Sequence, residues 1–126
     1  MGKYDEYKEH WRRRAERERE RRRALAAEAR AEAWRLSDLL TQEFGAKKVY
    51  LFGSLVHEGR FYERSDIDLA AEGIEPRRFF KAGAALDRAC GYRYQIDLVD
   101  LETVRDGVKE LILAEGVLLC DRIGDS

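Results

Sequence analysis

Two aspartates one residue apart, Asp66 and Asp68, and a third further along, Asp97, are the residues of this chain whose spacing most clearly points to chemistry. Side chains two apart on a strand point to the same face, so Asp66 and Asp68 stand together while Ile67 and Leu69 turn to the other face. Two ionised carboxylates side by side repel each other, and a divalent cation removes that repulsion; an all-oxygen set suits Mg²⁺. Asp97, between Ile96 and Leu98 in another strand-like run, offers a third carboxylate. Three such groups can hold two metal ions about 4 Å apart for in-line phosphoryl or nucleotidyl transfer. Taken alone, Asp-Ile-Asp reads equally well as the exposed edge of a strand.

Gly53-Ser54 follows directly on an apolar run. A glycine lets the backbone come close to a phosphate, and free amides with a hydroxyl can cradle its oxygens. On its own such a pair is most often only a turn. The conjunction is what points to a site: strand, Gly-Ser, loop, strand with two aspartates, and a later strand with a third.

The elements that must position these residues are legible in the pattern. Residues 4–44 contain neither Pro nor Gly and are dense in Ala, Arg, Glu and Leu, which predicts one long helix, with or without a break. Glu9–Arg13 and Glu18–Arg22 have the favourable i,i+4 order. Ala29, Ala33, Leu36, Leu40 and Phe44, joined by Leu39, form an apolar stripe for a core. Residues 12–24 carry almost nothing apolar, and Tyr4, Tyr7 and Trp11 share a face at the tip. Gly45 ends the helix. Beyond it the pattern predicts strands at 47–52, 66–71 and 94–100, a helix opening at Pro76 and stopped by Gly91, an amphipathic helix through Val104, Val108, Leu111 and Ile112, and a short strand at 117–120. The fold class is therefore α/β (α+β): a small mixed sheet of 3–4 strands flanked by helices. A charged helical extension over 1–28 precedes a domain over 29–126.

Bulk properties narrow the function. The 126 residues are 44% hydrophobic and 39% charged, with a net charge of −1. Residues 1–36 hold 12 Lys/Arg and 8 Asp/Glu, a net of +4, leaving 12 against 17, a net of −5, for the rest. A basic arm on an acidic body argues against wholesale binding of duplex nucleic acid, and the glutamates among Arg12–Arg23 favour a self-supporting charged helix. No apolar run is long enough for a membrane span, and no apolar leader opens the chain, so a cytoplasmic protein is expected. Cys90 and Cys120, far apart and outside any Cys/His cluster, read as reduced thiols. His57 and His10 read as solvated, Tyr92 and Tyr94 as packing residues, and Trp34 as facing either a partner or the core. The absence of Asn, with abundant Arg and Glu, points weakly to a thermophilic source.

LFGS at 51–54, SDIDLA at 65–70, QIDLVDL at 95–101 and KELILAEGVLLCD at 109–121 together resemble the minimal nucleotidyltransferases of the DNA polymerase β-like superfamily, over roughly residues 30–122. The resemblance implies that Gly53 and Ser54 bind the triphosphate of a nucleotide, ATP as donor. It implies that Asp66 and Asp68 hold Mg²⁺, and that Asp97 completes the metal site and helps activate an attacking hydroxyl. Eleven residues separate Ser54 from Asp66, one more than is expected of this family, and Leu55, Val56 and His57 stand where many relatives have a basic residue. Charge neutralisation of the phosphates then falls to Arg60 or Arg64, or is weaker.

A chain this short leaves the acceptor to another polypeptide or to a homo-oligomer. Minimal nucleotidyltransferases are often antitoxins paired with a HEPN-domain ribonuclease toxin, which implies adenylylation of a tyrosine on that partner. Two other readings stay open: a module that neutralises its partner by occlusion without catalysis, and transfer to a small molecule such as an aminoglycoside.

Overall fold

The structure, a computed structural model, describes residues 2–57 and 66–121. The first helix, α1, runs unbroken over Lys3–Phe44, about 63 Å at 1.5 Å per residue. Gly45 closes it in the left-handed conformation (φ 72°), and the cap amide bonds back to Leu40 O. Burial begins only at Ala26; from there Ala29, Ala33, Leu36 and Leu40 are all but sealed from solvent. Each buried leucine of that stripe is worth about 2 kcal/mol of transfer free energy. Trp34, on the opposite side, stays 50% exposed, so it is not a core contact.

Four strands follow: β1 (Lys48–Phe52), β2 (Ile67–Glu72), β3 (Ile96–Asp100) and β4 (Val117–Asp121). They form one sheet in the order β3-β2-β1-β4, mixed as expected. β1 is antiparallel to both β2 and β4, and β2 is parallel to β3. The parallel pair is bridged by the helix α2 (Pro76–Ala89), which opens on Pro76. A last helix, α3 (Asp106–Glu115), leads into β4.

The sheet has two unequal faces. Ile67, Leu69 and Ala71 point to the main core, shared with α1, with Leu86 and Cys90 at the C-terminal end of α2, and with Val49 and Leu51. The alternate residues face a much smaller cluster, where Ala70 meets Leu101 and Ile112. Asp68, two before Ala70, is on this second face, which α3 alone among the described helices covers.

Several boundaries differ from the sequence pattern. β3 begins at Ile96 rather than Tyr94, though Tyr94 packs on the main core as Ile96 and Leu98 do. The helix expected from Val104 begins at Asp106 because the amides of Thr103 and Val104 are drawn into a turn on Asp100 O. Its expected buried stripe is reduced to Ile112: Val108 is 39% and Leu111 55% exposed.

Candidate active site

The three aspartates arrive from two neighbouring strands. Asp68 is the register partner of Asp97 across the parallel β2–β3 pair and of Phe52 across β1–β2. Asp66 sits one residue before β2, where the amide of Ile67 bonds to Gln95 O and fixes the entry to the strand. One oxygen from each of the three carboxylates lies within 4.8 Å of the others.

Crowding three carboxylates shifts their protonation. Asp68 is pushed up to about 6, first by burial and then by the negative charge and hydrogen bond of Asp97 and the charge of Asp66. Asp66 is also raised, chiefly through its hydrogen bond with Asp97, then by burial and Asp97's charge. Both shifts mean that the ionised cluster is short of positive charge. Oxygen-only ligation at this spacing fits a hard divalent cation, with Asp66, Asp68 and Asp97 as the residues to hold it.

β1 delivers the second half of the site. It runs into a short 3-10 turn over Gly53–Val56. Gly53 has φ 78°, and a Cβ there would collide with Oδ2 of Asp68, so only glycine lets the turn close down on the carboxylate. Gly53 is thus brought onto the carboxylate cluster, with Ser54 next to it in the turn. Arg60, Arg64 and the loop spacing before Asp66 lie outside the described residues.

A cavity of about 460 Å³ opens beside this turn, lined by Phe52, Gly53, Ser54, Val56 and His57 on one side and Leu111, Ile112 and Glu115 on the other. His57 Nε2 stands 3.8 Å from Glu115 Oε2 at its rim. The α3 side of this cavity was not foreseen from sequence. The available signal was Gly116, where a Cβ would strike the carbonyl of Ile112; glycine lets α3 turn abruptly into β4 and brings its last turn beside β1.

Comparisons with known proteins bear on the family and the fold. Residues 35–124 match the family model described as polymerase beta, nucleotidyltransferase. The chain belongs to that family. No curated protein matches it. Among solved structures, a chain of a toxin–antitoxin crystal structure with AMP-PNP aligns with TM-score 0.60 and 23% identity, covering 73% of this chain and 76% of that one. A chain of the toxin–antitoxin MntA–HepT gives 0.57 and 21%, covering 76% and 75%. A chain of the tri-AMPylated Shewanella oneidensis HEPN toxin in complex with its MNT antitoxin gives 0.57 and 21%, covering 77% and 76%. At these identities the likeness is one of fold. Among the described residues no helix is long and apolar enough to cross a membrane.

Proposed function

We propose that this chain is a Mg²⁺-dependent nucleotidyltransferase of the minimal, HEPN-paired type, which transfers AMP from ATP to a tyrosine hydroxyl of a HEPN ribonuclease toxin and so acts as its antitoxin. The observation that carries the reading is the convergence of Asp66, Asp68 and Asp97 against the Gly53–Ser54 turn. The choice of acceptor is supported by the fold neighbours, which come from toxin–antitoxin complexes, one with AMP-PNP and one with an AMPylated HEPN toxin.

Bound Mg²⁺ supplies positive charge that offsets the carboxylates and the triphosphate. The remaining work falls to the chain. Gly53 and Ser54 hold the phosphates through exposed amides and the hydroxyl. Asp97 accepts the proton of the acceptor hydroxyl as its oxygen bonds to the α-phosphorus. The bond from that phosphorus to the α–β bridging oxygen breaks, and pyrophosphate leaves. Asp97 is exposed and lies on the edge strand β3, so a bulky acceptor such as a folded protein can approach it. The free thiols Cys90 and Cys120 suit the cytoplasm, where such a pair would work.

The test is incubation with α-labelled ATP and Mg²⁺, with and without the HEPN protein from the neighbouring open reading frame. Label on the toxin with wild type, lost with Asp66→Ala/Asp68→Ala, supports the reading. Equal inhibition of the toxin by both forms without any label assigns the chain to occlusion instead, and label on an added aminoglycoside assigns it to small-molecule transfer.

A further inference from the structure

The carboxylates and the cavity beside them share one face of the sheet. Asp97, Asp68 and Phe52 are register partners on three successive strands, β3, β2 and β1, and side chains paired across strands point to the same side. Neighbouring strands are about 4.8 Å apart. Phe52 therefore stands one strand from Asp68, on the side away from Asp97. With Ser54, Val56 and His57 it walls the cavity of about 460 Å³, and Leu111 and Glu115 of α3 lie across from it. Small-molecule sites commonly measure about 300–1,000 Å³, so the space is of the right size for a ligand. Leu111 lines it while 55% exposed.

We infer that this cavity takes the base of the donor nucleotide, and that Glu115 selects a base bearing an exocyclic amine, as adenine does. The inference rests on the nucleotidyl transfer proposed above. A phosphorus held at Asp68 meets its acceptor over the edge strand β3, beside Asp97. The donor then extends to the other side, over β1, where the cavity lies one strand spacing away, a gap that a ribose can bridge. The walls sort the donor's parts. Phe52, Val56 and Leu111 offer apolar surface to a flat aromatic ring. The carboxylate of Glu115 would repel a triphosphate, which keeps the phosphates at the Gly53–Ser54 turn. His57 Nε2, at 3.8 Å from Glu115 Oε2, is beyond hydrogen-bond range. That oxygen can therefore accept from an amine in the cavity, in a charge-assisted hydrogen bond.

Isothermal titration of the full chain in the presence of Mg²⁺ tests this with three ligands: ATP, purine riboside triphosphate (the same nucleotide without the amine) and inorganic tripolyphosphate. Leu111→Ala is expected to weaken ATP about tenfold and to leave tripolyphosphate unchanged. Wild type is expected to prefer ATP over purine riboside triphosphate about tenfold, and Glu115→Ala to bind the two alike. Both side chains are more than half exposed, so thermal melting should show the fold retained. Leu111→Ala that weakens both ATP and tripolyphosphate, or neither, overturns the inference. So does an ATP preference that survives Glu115→Ala or is absent from wild type. In each of those cases wild type still binds ATP, and the transfer reading stands. Wild type that binds neither ATP nor tripolyphosphate overturns that reading and this inference together.

Discussion

The carboxylate of Asp68 occupies the space in which a side chain at residue 53 would begin: a Cβ on Gly53 collides with Oδ2 of Asp68. The turn that presents Ser54 and the strand that presents the aspartate are thus fitted to each other without a gap. Gly53→Ala must displace the carboxylate or the turn, and it also places a Cβ at φ 78°. We expect Mg²⁺ affinity, followed by isothermal titration, to fall about 10- to 100-fold. Unchanged affinity would show that this contact does not shape the metal site.

The raised values of Asp66 and Asp68 predict how stability depends on pH. Ionisation of Asp68 is disfavoured in the folded protein, with half-protonation at about 6, so the folded state binds its proton more tightly than the unfolded chain. That contribution to stability is present below the ordinary carboxylate range and is lost as pH rises through about 6. Without metal, Tm should therefore fall from pH 5 to pH 7. Mg²⁺ should raise Tm more at pH 7 than at pH 5, because it replaces the missing protons. Equal Mg²⁺ shifts at both pH values would contradict the assignment of these carboxylates as ligands.

Asp97 is the exposed member of the cluster, on the edge strand. Asp97→Asn keeps the shape but removes the proposed proton acceptor and one carboxylate charge from the cluster. Turnover is expected to drop about 10²- to 10⁴-fold, while the fold, read by thermal melting, is retained. A variant with wild-type turnover would place the proton elsewhere.

Away from the site, Glu32 is buried on α1 with only 4% of its surface exposed. Its Oε2 accepts a hydrogen bond from Arg93 at 3.2 Å, while Arg35 lies 3.3 Å from Oε1 without hydrogen-bond geometry. Arg93 precedes β3, so this pair ties the long helix to the strand that bears Asp97. Arg93→Ala leaves a buried carboxylate short of its hydrogen-bond donor and should cost about 1–3 kcal/mol in urea unfolding. A loss below about 0.5 kcal/mol would rank it with surface pairs.

The parts of this molecule that were legible in advance are those set by short-range rules. Alternation placed Ile67 and Leu69 in the core and so put Asp68 on the opposite face. The apolar stripe of Leu36 and Leu40 placed half of α1 on that core, and Gly45 ended the helix. What was not legible depends on contacts distant in sequence. The amphipathic pattern of Val108 and Leu111 predicts burial, but α3 sits on the thinly covered sheet face and only Ile112 is sealed. Glu115 faces His57 because β4 pairs with β1, a pairing that no local pattern specifies. Tyr94 packs on the main core with Ile96 and Leu98, as alternation places it, but it still lies in the turn after Gly91, because pairing with β2 begins only at Ile96.

Intact-mass spectrometry of the HEPN protein proposed as acceptor, after incubation with ATP, Mg²⁺ and catalytic amounts of this chain, decides whether AMP is transferred. Wild type is expected to add the mass of one or more AMP units, mapped to tyrosine, and Asp66→Ala/Asp68→Ala to add none. An unmodified toxin that wild type and the double variant silence equally well would contradict AMP transfer to this partner.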